Sequence, residues 1–358
     1  MSFIPTAGTV VPVIVAAFVA AAVIALLATP AIRRVVNRLR IVDQPGERRV
    51  HVSPLPRGGG VAVAAAFMLV GGGLVAFGQL VPGMPSLGDV NPANLLGLFG
   101  GAIVAAVIGA LDDRFDLRAR WQFLGQIGLA AIAVAAGITV ASIGDPFGPG
   151  KLQFAAPVGI AFTVVWIVGM INSLNFIDGL DGLSTGIALI AAVALGLLCL
   201  TPQVNQPLVS ILCFALAGGL LGFLRWNFHP AVIFQGTAGV MFVGYVLAVL
   251  AILGQAKVVA ALLVLAVPII DTFWVIVRRL SSRRSPFSPD RGHIHHRLLD
   301  LGLSHRATVL LIYAVCATLG LMSLLVSSST GVLAFAVALV GFGVVAFALR
   351  RDPGGATS

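Results

Sequence analysis

The sequence predicts an all-α polytopic membrane protein of about eleven transmembrane helices, with its N-terminus outside, its C-terminus cytoplasmic and its chemistry on cytoplasmic loops. Three observations predict it. Hydrophobic residues make up 59% of the 358 positions and charged residues 10%, and the mean hydropathy is +1.05; a water-soluble chain of this length needs far more polar cover. Apolar runs of bilayer-spanning length, roughly 20 residues, recur from one end to the other. Basic residues are sorted between alternate loops: 20 of the 22 Lys and Arg fall in 33–57, 114–120, 225, 278–306 and 350–351, leaving Lys151 and Lys257 for the opposite side. That asymmetry is the positive-inside pattern. It accounts for the formal charge of +9 without a nucleic-acid partner, and it draws anionic lipid and phosphates to the cytoplasmic mouth.

In chain order, Val10 to Ile32 reads as a retained first helix. A signal peptide carries positive charge ahead of its apolar run, whereas Arg33 and Arg34 follow this one. Further spans are predicted at 58–81, 94–111, 122–142, 156–172, 182–200, 207–224, 238–254, 257–277, 307–327 and 329–349. They make one integral membrane domain, 1–358, with cytoplasmic segments at about 33–57, 112–121, 172–182, 225–238 and 278–306. Cys199, Cys213 and Cys316 lie inside apolar runs without metal-ligand spacing, so they read as small buried hydrophobes. Of the acidic residues only Asp89 and Asp145 fall outside, and no span carries a charge near its centre. A transporter of a polar solute places its site near the midplane on interrupted helices. Chemistry gathered on one face favours an interfacial enzyme instead.

The densest polar stretch is Asn172 to Gly186, NSLNFIDGLDGLSTG, which sets Asn172, Asn175, Asp178 and Asp181 between two apolar runs. Polar groups at such a depth are costly unless they meet water, a metal or a substrate; a plain polar loop between helices is the alternative. Val42 to Gly60, VDQPGERRVHVSPLPRGGG, is a proline-bent loop. Its Arg48, Arg49 and His51 suit phosphate contacts, or serve topology alone. Gly109 to Arg114, GALDDR, places Asp112 and Asp113 side by side at the inner end of the third span. Adjacent carboxylates call for a cation or a shared proton.

Arg225 to Gly239, RWNFHPAVIFQGTAG, offers Asn227 and His229 at the mouth, with Trp226 and Phe228 as belt residues. The last cytoplasmic loop holds Asp290, Arg291, His293, His295 and His296. Beside Arg291 and Arg297, its imidazoles read as phosphate hydrogen-bond donors rather than as a metal cage. Asp271 reads equally as an arginine's partner or as a functional group.

Taken together, VDQPGERRVHVSPLPRGGG, LDD at 111–113, NSLNFIDGLDGL at 172–183, NFHPAVIFQG at 227–236 and DRGHIHHRL at 290–298 resemble the polyprenyl-phosphate N-acetylhexosamine-1-phosphate transferase family. That family includes bacterial undecaprenyl-phosphate GlcNAc-1-phosphate transferases and, more distantly, the phospho-N-acetylmuramoyl-pentapeptide translocase. The resemblance implies transfer of a sugar 1-phosphate from a UDP-N-acetylhexosamine to polyprenyl phosphate at the inner leaflet of the bacterial plasma membrane. UMP is released and a cell-envelope glycan is begun. It implies Mg²⁺, or Mn²⁺ in its place, and contact with membrane lipid; a homodimer is compatible with it. By the family's pattern Asp112, Asp113 and Asp178 are catalytic, and Asn175 ligates the metal. Arg49, His51, Asp181, Asn227, Arg291, His293, His295 and His296 bind substrate. The family pattern carries a metal-binding aspartate where this chain has Thr237, with Gln235 two residues before. A hydroxyl binds hard cations less well than a carboxylate, so Thr237 is a weakened ligand; Gln235 offers a carbonyl oxygen nearby, and the metal is otherwise held by Asn175 with another carboxylate, or the chemistry is altered. The alternative is a catalytically idle relative that binds lipid phosphate or serves as an assembly partner.

Overall fold

The computed structural model describes residues 7–43, 54–82, 84–85, 90–144, 150–254, 262–283 and 293–325, with 337 and 341. The described chain is a bundle of helices. They are α1 (Ala7–Arg38), α2 (Gly60–Phe77), α3 (Pro92–Phe115), α4 (Ala119–Ala135), α5 (Ala156–Ile177), α6 (Leu183–Cys199), α7 (Pro207–Asn227), α8 (Gly236–Leu253), α9 (Ala266–Ser281), α10 (Ile294–Asp300) and α11 (His305–Leu325). Seven of them, α1, α2, α3, α5, α7, α8 and α11, are long and apolar enough to cross a membrane. The protein is therefore a multi-pass membrane protein.

The remaining expected spans differ in length or lie partly outside the described residues. The run at 182–200 is the 17-residue apolar helix α6. The run at 122–142 is also 17 residues long, because α4 stops early. Gly137 takes φ +79°, its N–H reaching the Val134 carbonyl while the Ile138 N–H reaches Ala133. That left-handed closure satisfies the last carbonyls and ends the helix. The chain then runs into a short antiparallel ladder, β3 (Ser142–Gly144) with β4 (Lys151–Gln153), an addition to the expected all-α plan. A second ladder pairs β1 (Val42–Asp43) with β2 (Leu55–Pro56). Of the run at 257–277, the helix α9 is described, and the run at 329–349 lies outside the described residues apart from 337 and 341.

The core of the bundle is α8, which packs against α2, α3 and α5. Its buried face runs almost unbroken from Ala238 to Ala251. A helix apolar all round is a buried one. Small residues let its neighbours close on it: a Cβ at Gly60 would lie 2.0 Å from Gly239 Cα, and one at Gly109 would lie 2.4 Å from Ala238 Cα. Two large buried side chains inside the bundle bring their polar tips to main-chain carbonyls, as burial away from water favours. Tyr245 donates to the Gly97 carbonyl at 2.7 Å, and Trp166 Nε1 donates to Ala248 at 3.1 Å. Asn172, within α5, donates to Gln126 on α4 at 2.6 Å and so serves helix packing. The glycine contacts fix where the ends of α2, α3 and α8 meet, and that meeting point is where the sequence's acids gather.

Candidate active site

Asp113 ties three elements together. It sits in the last turn of α3, 8% exposed. Its Oδ1 accepts from Arg57 Nε at 2.9 Å and from the Thr237 N–H at 2.9 Å; its Oδ2 accepts from the Ala238 N–H at 3.1 Å. Thr237 and Ala238 are in the first turn of α8, whose free N–H groups and dipole favour an anion. Gly236 allows the approach. Its φ is +72°, and a Cβ there would lie 2.6 Å from the Asp113 carboxylate. Arg57 also reaches Asp112 and Asp43, each at 3.7 Å. Asp112 is 2% exposed, and its Oδ1 accepts from the Leu117 N–H at 3.0 Å and from Gln122 Nε2 at 2.7 Å.

Asp178 occupies a different environment at the end of α5. One of its oxygens meets the Ser184 hydroxyl. Ser184 is also 2.9 Å from Gln235 Oε1, and Thr185 lies between that same oxygen, at 2.8 Å, and Asn227 Oδ1, at 2.7 Å. Asn227, 2% exposed, donates onward to the Ile233 carbonyl at 3.1 Å. Burial pushes the Asp178 carboxyl up to about 7; the Ser184 bond opposes this, and the charges of Asp113 and Asp43 add to it. Ser184 has one proton to give. Its contacts to Asp178 and Gln235 are both hydrogen bonds when Asp178 itself carries a proton and donates it to Ser184. Once Asp178 ionises, the Ser184 proton turns to it. The carboxyl and the hydroxyl chain are one proton-handling unit.

Asp181 accepts from the Ala231 N–H at 3.1 Å and pairs with His229 Nδ1 at 2.7 Å. The His229 ring stacks on His305, centroids 4.1 Å apart. In the histidine loop, Asp271 pairs with His293 at 2.7 Å and accepts from the Ile294 N–H at 2.9 Å, fixing the start of α10. Its partner is thus a histidine. His295 is 1% exposed, and its Nε2 would lie 2.5 Å from a Cβ on Gly179, between Asp178 and Asp181. Burial, then the imidazoles of His296, His293 and His305, push His295 well below the usual histidine range, so it is neutral at neutral pH. His296 stacks beside it at 4.4 Å.

Residues 95–255 match glycosyl transferase family 4. A probable undecaprenyl-phosphate N-acetylglucosaminyl 1-phosphate transferase of Bacillus subtilis is 34% identical over 88% of this chain and 86% of its own. A decaprenyl-phosphate N-acetylglucosaminephosphotransferase of Mycobacterium leprae is 36% identical over 82% of this chain and 78% of its own. An undecaprenyl-phosphate alpha-N-acetylglucosaminyl 1-phosphate transferase of Yersinia pestis is 29% identical over 82% and 79%. The chain belongs to glycosyl transferase family 4. It is a membrane transferase.

Of the family site residues expected from sequence, the structure brings Asp112, Asp113, Asp178, Asp181, Asn227, His293, His295 and His296 to one end of the bundle, with Asn175 and Thr237 beside them. Arg49, His51 and Arg291 lie outside the described residues. Arg57, Ser184, Thr185 and His305 were not singled out in the sequence. Arg57 carried a signal, an arginine directly ahead of a glycine run at a helix start, while His305 carried none.

The oxygen donors present suit a divalent cation of the Mg²⁺ kind, which takes one or two carboxylates and leaves room for water and phosphate. Asp112 Oδ2 has only a long contact to Arg57, which leaves it to a ligand. Half-buried Asn175 stands one turn before Asp178. Gln235 Oε1 meets the Ser184 and Thr185 hydroxyls, while its Nε2 is buried without a partner among the described residues. Thr237 contributes its main-chain N–H to Asp113.

Proposed function

We propose that the protein transfers N-acetylglucosamine 1-phosphate from UDP-N-acetylglucosamine to a polyprenyl phosphate at the inner leaflet of the bacterial plasma membrane, releasing UMP. The observation that carries this reading is the pair of unlike carboxyl environments at the bundle end, one saturated with donors and one poised near neutrality. The activities for which the three relatives are named support it.

Two anions must meet in this reaction, so positioning and charge neutralisation decide the rate more than covalent chemistry does. A bound Mg²⁺, held by Asp112 and Asn175, would neutralise phosphate charge. Asp113 acts as a positioning residue, since its oxygens are occupied by Arg57 and by α8. Arg57, held by that carboxylate, presents the rest of its guanidinium as a fixed cation for phosphate. Asp178 is the base. A phosphate monoester has a second pKa of about 6, and a carboxyl at about 7 is matched to take its proton, with Ser184 turning to hold the resulting charge. Neutral His295, against Gly179, and His293 and His296 would bind the donor, the role that the family pattern also gives to Arg49, His51 and Arg291. Asp181 and Asn227 hold the loop that receives the nucleotide.

UMP release from UDP-N-acetylglucosamine by the purified protein, given polyprenyl phosphate and Mg²⁺, tests the reading. The wild type is expected to turn over, and Thr237→Asp to lower the Mg²⁺ concentration required, because affinity for hard cations rises with ligand charge. No release by the wild type, with release restored in Thr237→Asp, would make this chain an idle, lipid-phosphate-binding relative.

A further inference from the structure

Asp181, His229 and His305 come from three separate segments: the turn between α5 and α6, the loop between α7 and α8, and the first residue of α11. A carboxylate oxygen and one ring nitrogen from each histidine all lie within 4.8 Å of one another. Two imidazoles and a carboxylate are the donor set of borderline divalent ions such as zinc, and a poor one for magnesium. Both ring nitrogens of His305 are buried from solvent; the Asp181 backbone approaches one of them, which leaves the other to a ligand. Both hydrogen bonds to Asp181 fall on Oδ2, which leaves Oδ1 to a ligand.

We propose that Asp181, His229 and His305 bind a zinc-class divalent ion, separate from the oxygen-ligand site at Asp112 and Asn175. Metal bonds of about 2.0–2.2 Å in a tetrahedral set separate ligand atoms by roughly 3.3–3.5 Å. The 2.7 Å contact between Asp181 and His229 must therefore open slightly and the wider pairs close. The His229 side chain is 36% exposed, which leaves room for an exchangeable ligand, as in zinc sites with an open position. The ion would fasten the start of α11 to the two loops that carry Asp181 and His229. Other contacts already hold those elements together. Arg306 donates to the His229 carbonyl at 3.1 Å and 3.3 Å, and Tyr313 donates to the Gly182 carbonyl. Substituting one ligand should therefore leave the fold intact.

The test uses the full chain in detergent, stripped with a chelator, titrated with zinc sulfate and read by elemental analysis and calorimetry. Cobalt(II) absorption serves as the spectroscopic probe. The expected result is one zinc per chain. Affinity should fall at least tenfold, about 1.4 kcal/mol, in each of His229→Asn and His305→Asn, with melting temperatures of the metal-free proteins unchanged. His305→Phe, which keeps the ring stack, should lose the ion as well, so a loss in all three variants is not a loss of folding. Absence of stoichiometric zinc in the wild type would overturn the proposal. So would zinc binding that survives His305→Asn and disappears in His295→Asn, which would place the ion in the histidine loop. None of these readouts depends on UMP release, so the site and the transferase reading fail or stand separately.

Discussion

Asp113 and Asp178 are two carboxyls of one site, close enough for their charges to influence each other, yet the chain treats them in opposite ways. Asp113 receives Arg57 and two N–H groups from the start of α8, so its oxygens are occupied by protein. Asp178 receives one hydroxyl, from a side chain that also faces Gln235. Fixed donors make a carboxylate into a joint; a scarcity of donors makes it a proton carrier. Identical side chains thereby take different roles, as general acid–base sites require.

The largest effect is expected where that joint is removed. Asp113→Ala leaves Arg57 and the Thr237 and Ala238 N–H groups without their acceptor. Breaking a buried pair from one side costs about 3–5 kcal/mol, so the melting temperature in detergent should fall markedly and turnover should vanish with it. An unchanged melting curve would mean that Asp113 is no structural joint, and the contrast with Asp178 would collapse.

The second prediction is kinetic. Asp178→Asn should lower turnover at least about 100-fold, roughly 2.7 kcal/mol of transition-state stabilisation, with the protein still folded. In the wild type the rate should rise with pH through about 7, as the carboxylate forms. Stability moves the other way. A carboxyl raised from an unfolded value near 4 holds its proton more tightly when folded. Its contribution is fully present below that value, declines as pH rises towards about 7, and is flat above. The asparagine variant should lack both dependences, which melting and rate profiles between pH 5 and 8 would check. A variant that keeps the wild-type rate profile would remove Asp178 as the base.

The smallest effect sharpens the comparison. The Ser184 bond holds the Asp178 carboxyl down against burial. Ser184→Ala should therefore shift the midpoint of the rate profile upward and lower the rate at pH 7 about tenfold, the lower end of the worth of one hydrogen bond to a charged group. A downward shift would contradict the assigned direction of that bond.

The sequence by itself determined what is local. Apolar runs marked α1, α2, α3, α5, α7, α8 and α11 because spanning length is a property of consecutive residues. Chain order also showed that the acids, amides and histidines recur in loops of one parity. The early end of α4 was not legible: the apolar run continues to 142, and the left-handed φ of Gly137 is a feature of the folded chain. Tertiary structure decided which polar group meets which. Asp113 is 124 residues from Thr237, and Arg306 is 77 residues from the His229 carbonyl it donates to; no spacing rule spans such distances. Those pairings follow from how closely helices approach at Gly60 and Gly109, and that depends on shape complementarity between remote surfaces. The same packing set the roles of the two aspartates, because a carboxyl's charge state depends on the donors and burial around it, and these exist only after the bundle has closed.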